Sequence, residues 1–558
     1  MRSKATCVAL MLCVILSANA GIGSPIQDDG DLGLHSVQGL RLTSGNCENC
    51  AALPQALWYF RDDLIFAPPA GTAAAGFAPR TAAQADVAQY MSDAAAAPQA
   101  SAPPLIWVGS SEVIREARLV AGTRILQLPD GTRTDFATTG KLPTNRSYFD
   151  KGSLDYFSQR PLRLRGETRL ATDGATRFVA RTLWPLDFAI PADAPLQPLA
   201  EHENFRRLIG AHRGGAEQPF ANRLIWARDP SRRSDLQDKP VLAVMLNGAQ
   251  GDDDEAHGGH FAIATGRFRA DGDWSRWLTY NFSNLNSYSE KGVVAAPTPM
   301  DKYLGDLNSG QSWYRPSYML VAVLRQARTA QQYQTAIERV YNHFYRHDFE
   351  FDHARANCAG ISMDTLATLG WRPRQRGHES WFRAIGAYLH TAASSLSLQD
   401  GRKIYDYLLE EQTRLYPAAA FDALANDLLH LAKGQAGRTL TPFEQALTED
   451  VEAIYYVHIP QFPSSRAFGF APVDSFDEYM RQAPAERSKW KIVPVDGRPF
   501  PPELLDGPAP ESPDRFPVPL PVAATIASTL AAAYLALRRI FRSKSNTRRS
   551  TMPAGATP

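Results

Sequence analysis

Hydrophobic positions along this chain change their spacing twice. Between Leu105 and Ile190 they alternate with polar ones, the period of half-buried strands. Arg124-Ile-Leu-Gln-Leu128 and Thr132-Arg-Thr-Asp-Phe136 flank Pro129-Asp130-Gly131, a turn sequence that predicts a hairpin. Leu162 to Thr168 and Thr176 to Leu183 repeat the alternation, so residues 105–199 read as a β-rich module. Continuous apolar runs follow. Pro240 to Leu246 predicts a buried strand, and Phe261–Thr265, Trp274–Phe282 and Tyr318–Leu324 predict three more. Beyond Ala327 the period is helical. Tyr333, Ile337, Val340, Tyr341 and Phe344 share one face, and amphipathic segments recur near 379–394, 400–414, 418–433 and 442–455. The expected fold class is α+β: a small antiparallel sheet with a helix packed on it over residues 200–395, after the β-rich module and before a helical region at 396–491.

The ends of the chain break these patterns. Arg2 and Lys4 precede the short apolar run Val8–Leu16, and Ala18-Asn19-Ala20 has the small residues of a cleavage site, so residues 1–20 read as a secretory signal. Residues 21–104 hold Cys47-Glu-Asn-Cys50, a short predicted helix from Leu53 to Phe60, and an Ala/Pro/Gly-rich linker over 68–104 with room for one helical turn. Residues 492–517 are dense in proline and predict a stiff spacer. Val518–Leu537 is uncharged and long enough, at about 30 Å of helix, to cross a bilayer. Arg538, Arg539, Arg542, Lys544, Arg548 and Arg549 follow it, which favours a cytoplasmic tail at 538–558. The expected location is the bacterial inner membrane, held by a single C-terminal pass with the main domain in the periplasm.

Composition narrows the partners. Lys and Arg total 59 against 58 Asp and Glu, a net charge of +1, which argues against nucleic acid as the main partner. Behind the signal only Cys47, Cys50 and Cys358 remain. In an oxidising compartment the C-x-x-C pair can close on itself, or it can bind metal. Cys358 is then the odd thiol.

Cys358 lies in Arg355-Ala-Asn-Cys-Ala-Gly-Ile-Ser-Met-Asp364. Asn357 is a good N-cap, Ala359, Met363, Leu366 and Gly370 share a stripe, and Gly370 with Pro373 marks a stop. The cysteine is therefore expected in the first turn of a helix, where exposed amides and the helix dipole lower a thiol pKa and favour the nucleophilic thiolate. The other reading is a small buried cysteine with a packing role.

A nucleophilic thiol needs a base, and His260 in Gly258-Gly-His-Phe-Ala-Ile-Ala-Thr265 is placed at the mouth of a predicted strand. A hairpin centred on Ala270-Asp-Gly-Asp273 brings position 260 opposite roughly 281–283, so Asn281 or Ser283 is the candidate to orient the ring. His257 is the second candidate base.

A Gly-His-aromatic strand that precedes, by way of a Tyr-rich helix, an Asn-Cys at a helix start resembles the permuted papain-like thiol enzymes. In these the histidine comes before the cysteine, the reverse of NlpC-type order. Lecithin:retinol acyltransferase-like proteins carry such an Asn-Cys. The features Gly259-His260, Tyr341-Asn-His-Phe-Tyr345 and Asn357-Cys358 are most similar to the Lnb-type periplasmic domain family of bacterial envelope proteins. The resemblance covers residues 200–395 and implies a papain-like core. The chain departs from the usual aromatic or serine-rich flank after the cysteine, where it has Ala359-Gly360. The resemblance implies a thiol fold in the periplasm and does not settle a reaction; together with the residue chemistry it leads to the expectation of a membrane-anchored cysteine hydrolase or acyltransferase with Cys358, His260 and, from the hairpin register, Asn281 as catalytic residues. No cofactor and no metal are expected. The substrate is an amide or ester of the envelope: a peptidoglycan peptide, a lipoprotein or a lipid.

Two other signals carry chemistry. Asp252-Asp-Asp-Glu255 precedes the candidate base and reads as a solvated acidic loop or a cation-attracting one. His343 and His347, one helical turn apart, with His353 after them, suit a shared metal but lack a zincin glutamate. The alternatives to the enzyme are a non-catalytic envelope scaffold or binding protein with a papain-like fold, and a metal-binding protein.

Overall fold

The structure is a computed structural model. It describes residues 21–506 apart from 70–80, 97–104, 143–147, 212–217, 232, 251–255, 285–292, 464–467, 485 and 490–498. The expected signal at 1–20, the acidic loop at 252–255 and the segments 507–517, 518–537 and 538–558 lie outside the described residues.

The N-terminal segment lends strand β1 (Ser24–Pro25) to the edge of the next module and forms a small sheet from β2 (Arg41–Ser44), β3 (Leu64–Ala67) and β4 (Ile106–Trp107). Cys47 and Cys50 are joined in a disulfide. The linker at 68–104 carries more order than its composition predicts. Ala83–Ala96 is a helix, with Val87 and Asp86 buried against the helix Arg328–Tyr345.

Five strands then close on themselves: β5 (Glu112–Leu119), β6 (Ile125–Gln127), β7 (Arg133–Thr138), β8 (Leu162–Leu170) and β9 (Thr176–Pro185). Their order is β5-β6-β7-β9-β8, and β5 pairs back to β8, so the module is a five-stranded barrel. The hairpin predicted at Pro129-Asp130-Gly131 is present, with Gln127 opposite Arg133 and Gly131 at φ +85°. Leu126, Phe136, Leu164 and Phe178 of its strands are buried in the core cluster that the barrel shares with the main sheet.

The main sheet has seven antiparallel strands: β10 (Ala221–Ala227), β11 (Pro240–Asn247), β12 (His260–Arg267), β13 (Leu278–Asn284), β14 (Val293–Pro299), β15 (Ser317–Leu324) and β16 (Val451–Ile459). Their order is β10-β16-β15-β11-β12-β13-β14. Every residue of β11 and β15 is buried, because the sheet is covered on both faces. Val241, Ala243, Met245, Met319 and Val321 face the barrel. Leu242, Val244, Leu246, Phe261 and Leu320 face the helices Arg328–Tyr345, Cys358–Leu369 and Pro417–Ala432.

This architecture corrects the expected fold class. The chain is mixed α/β with a barrel, a seven-stranded sheet and a helical layer, and it is not a small papain-like sheet followed by a purely helical region. The decisive element is β16, which lies in the region read as helical yet inserts between β10 and β15, with Tyr455 opposite Val321. Its sequence, Val451-Glu-Ala-Ile-Tyr-Tyr-Val-His-Ile459, follows the helix Pro442–Asp450 without a break, and the helical period of 442–455 masked the change. β14 also escaped the pattern. Pro297 and Pro299 argue against a central strand, and the sheet places this strand at its edge, where prolines are tolerated. No helix among the described residues is long and apolar enough to cross a membrane, and the span expected at 518–537 lies outside them. Part of the proline-dense stretch is packed on the body: Phe500 lies against Trp58 and His347, and Gln55 Nε2 donates to Asp506 at 2.9 Å.

Barrel and sheet meet through buried charges. Arg163 and Arg165, on one face of β8, both donate to Asp301, at 2.9 and 2.6 Å, and both face Asp29. Beside them Arg181 bridges Asp63 (2.7 Å) and Asp306 (2.8 Å). Lys302 reaches Asp306 at 3.0 Å and lies 3.5 Å from the Trp107 ring centroid, a cation–π contact.

Candidate functional site

The Cys358 helix begins where the sequence places it. Asn357 caps it by accepting from the Gly360 amide at 2.9 Å, and its Nδ2 donates to the carbonyls of His353 and Leu415, both at 3.0 Å. Gly370 ends the helix in the left-handed region at φ +108°. Cys358 is the first residue of the helix, and it is buried. Backbone amides of Phe261, Ala359 and Cys358 itself favour its charged sulfur.

His260 opens β12. Gly259 before it sits at φ +76°, and a Cβ there would come within 2.4 Å of the Asn247 carbonyl, so the turn into β12 needs glycine. Across β11, His260 pairs with Asn247. Towards β13 the registered pairs are Ile263–Tyr280, Ala264–Thr279 and Thr265–Leu278. Two residues earlier the Phe261 amide donates to the Cys358 sulfur, so the thiol reaches the backbone directly beside His260.

Asn281 is hydrogen-bonded to the His260 ring, while Ser283 donates to Asn281 Oδ1 at 2.7 Å. Ser283 therefore acts through Asn281. His260 Nε2 is buried with no hydrogen-bond partner among the described residues, so the bond to Asn281 is made through Nδ1. That tautomer leaves the Nε2 lone pair available as a base.

The electrostatics reverse one expectation. Burial pushes the Cys358 thiol up to about 11, against the pull of its amides and of Arg315. Burial and Arg315 push His260 down to about 3, against the bond that the ring donates to Asn281. The helix-terminal dipole was expected to yield a thiolate, but desolvation outweighs it. At neutral pH the thiol and the imidazole are therefore both uncharged.

Three further residues complete the site. Tyr303 lies with its ring centroid 6.4 Å from that of His260, donates to Asn247 Oδ1, and interacts electrostatically with Cys358. Asn247 Nδ2 donates to Ser317 Oγ at 2.8 Å. Arg315 donates to Gln311 Oε1 at 3.0 Å and to the Gly248 carbonyl at 3.1 Å. None of the three carries a local motif. Arg315 stands directly before an apolar strand, where an arginine reads as an ordinary boundary residue.

The other candidates lie elsewhere. His257 packs on Phe470 and Tyr479, and its carbonyl accepts from Val473 at 2.9 Å. His343 is held between Asp348 (2.7 Å at Nδ1) and Asp86 (3.1 Å at Nε2), on opposite sides of its ring. His347 stacks near Phe500 and bonds to Tyr59 Oη at 3.3 Å, and His353 packs against Phe351. Among the described residues no group of three or more His, Cys, Asp or Glu side chains converges as a metal site.

No family model, curated protein or solved structure matches this chain.

Proposed function

We propose that the chain is a cysteine hydrolase or acyltransferase acting on an amide or ester of the cell envelope. One observation carries this reading. A buried imidazole, tethered by Asn281 and with Nε2 unpartnered among the described residues, begins the strand whose next amide donates to the sulfur of Cys358. A buried titratable group with a strongly shifted pKa is a candidate for function. In the proposed reaction His260 Nε2 accepts the thiol proton as sulfur adds to the carbonyl carbon, and returns it to the leaving amine or alcohol. Amides at the helix start stabilise the oxyanion. A peptidoglycan peptide, a lipoprotein or a lipid is the substrate class proposed. The order of a Gly-His strand before an Asn-Cys helix, which resembles that of the permuted thiol enzymes and the Lnb-type family, supports the assignment. The Cys47–Cys50 disulfide supports a compartment outside the cytoplasm.

The test is the rate of Cys358 alkylation by iodoacetamide between pH 6 and 10. Cys47 and Cys50 are silent while their disulfide is intact. The wild-type rate near pH 7.5 is expected to fall at least tenfold in His260→Gln. Equal rates in the two proteins would sink the enzyme reading. A second reading, a non-catalytic binding protein or scaffold, is favoured by the burial of Cys358 and by its raised pKa. It predicts a thiol whose slow alkylation ignores position 260.

A further inference from the structure

The row of residues that ends at His260 continues across three strands: His260 pairs with Asn247, and Asn247 with Ser317. Arg315 precedes Ser317 by two residues, so its side chain enters at the same end of the sheet. The guanidinium is fixed there by the Gln311 side chain and the Gly248 carbonyl, one residue after Asn247. From behind, Gly469 presses on the arginine: a Cβ at 469 would sit 2.7 Å from the Arg315 Cα. Arg315 is 9% exposed. Its charge acts on three groups of the site: the Cys358 sulfur, the His260 ring and the Tyr303 phenol. Farther along the cysteine helix, Asp364 is paired with Arg414 at 2.7 Å.

We propose that Arg315 is the fixed cation of the site, standing opposite the Cys358 thiolate and the oxyanion that follows it, while His260 works from its neutral form. This rests on the enzyme reading above and adds a division of labour to it. In many thiol enzymes the imidazolium is itself the counter-charge of the thiolate. Here the positive charge belongs to a group that cannot give up its proton. As the C–S bond forms, the thiol proton moves to His260 Nε2 and the carbonyl π pair moves onto oxygen. As the tetrahedral centre collapses, that proton passes to the leaving nitrogen or oxygen and the C–N or C–O bond breaks. A cation beside the imidazolium makes it a stronger acid and favours the second transfer. It also opposes the charge on sulfur and oxygen in a site where burial strengthens every such interaction.

The bland account makes Arg315 a staple between Gln311 and Gly248. The two accounts part in the pH profile of Cys358 alkylation, measured on the full chain for wild type, Arg315→Lys, Arg315→Gln and Gln311→Ala, with unfolding midpoints recorded for each. Arg315→Gln is expected to raise the pH midpoint of alkylation and to slow the reaction at pH 7.5 at least tenfold. Arg315→Lys keeps the charge and is expected to stay within threefold of wild type. Gln311→Ala loosens the staple and is expected to leave the midpoint unchanged. A wild-type profile in Arg315→Gln, or equal losses in Arg315→Gln and Gln311→Ala, would overturn the proposal. Should Arg315→Gln fail to fold, Arg315→Lys decides: a profile displaced as far as that of His260→Gln would overturn it, and one within threefold of wild type supports it. The enzyme reading fails separately, if His260→Gln reacts as fast as wild type.

Discussion

The barrel-facing side of the main sheet holds two buried polar centres, and they are built on opposite rules. At the barrel junction, Arg163, Arg165, Arg181 and Lys302 each face carboxylates: Asp29, Asp63, Asp301 and Asp306. The cations hold those of Asp63, Asp301 and Asp306 below the ordinary range despite burial. At the other centre, His260 has one nitrogen bonded to Asn281 and the other without a partner among the described residues, and the charge of Arg315 opposes its protonation. Pairing offsets the desolvation of the first centre. The second leaves part of that cost standing. Perturbed titratable groups whose burial is not compensated cluster at reactive centres, and that is the role proposed for the second.

The largest expected effect lies at the paired centre. Asp301→Ala leaves Arg163 and Arg165 sharing Asp29, an excess of buried positive charge. Breaking such a set from one side costs about 3–5 kcal/mol. The expected outcome is a large drop in the urea midpoint, with Cys358 alkylation of the remaining folded protein unchanged. His260→Gln is expected to do the reverse, costing less than half as much stability and most of the thiol reactivity. Comparable stability losses in the two variants would erase the contrast between the centres.

Acid sharpens it next. His260 titrates near 3 when folded against about 6.5 unfolded, so only the unfolded chain binds its proton as pH falls from 6.5. Its contribution to stability is complete above pH 6.5 and declines towards pH 3, by at most about 1.4 kcal/mol per pH unit. The carboxylates of the paired centre, depressed in the folded state, hold theirs down to about pH 4 and lose it below. Wild type should therefore begin to lose stability near pH 6.5 and His260→Gln only nearer about pH 4, in denaturant titrations at pH 7, 6, 5, 4 and 3. Parallel curves would show that the ring is not buried in its neutral form. The thiol gives the alkaline counterpart. Raised to about 11 when folded, it takes stability away as pH climbs from 9 towards 11, and Cys358→Ser removes that slope.

Backbone geometry supplies an intermediate case. Gly259→Ala forces a left-handed φ on alanine and drives its Cβ against the Asn247 carbonyl. The cost of such strain is about 1–3 kcal/mol. Because the strain sits between His260 and Asn247, thiol reactivity is expected to fall with stability, where Gly258→Ala, which meets open space, leaves both alone.

What could be read from the sequence was local. Asn357 as a cap, Cys358 as the first residue of a helix and His260 at a strand mouth each follow from a few neighbouring residues. The hairpin register narrowed the orienting residue to Asn281 or Ser283, and the structure bonds the first to the ring and the second to the first. What could not be read was set at long range. β16 joins the sheet from more than a hundred residues beyond β15, and nothing in Val451–Ile459 names its neighbours. Arg315 arrives by way of β15, and Asp301 and Lys302 have the look of a surface turn until the barrel covers them. The direction of the thiol pKa failed for the same reason. A helix start is visible in sequence, but the burial that outweighs it exists only once the sheet, the helices and the barrel have come together.

Asn281 is the finest probe of the difference between the centres, because its role depends on one hydrogen bond. Asn281→Ala keeps Cys358, His260 and Arg315 but frees the ring to rotate and leaves Ser283 without its acceptor. One hydrogen bond contributes about 1 kcal/mol, so the expected loss of thiol reactivity is about five- to tenfold, smaller than for His260→Gln. The pH profile separates positioning from packing. Since the bond to Asn281 favours the protonated ring, its loss moves the His260 pKa further down and flattens the acid limb of the alkylation profile. Asn281→Asp is the converse: a carboxylate at Nδ1 raises the imidazole pKa and makes Nε2 a stronger base at neutral pH. Faster alkylation in Asn281→Asp than in Asn281→Ala is the outcome expected. Equal rates would mean that Asn281 only packs, and that the bare nitrogen of His260 is oriented by the sheet alone.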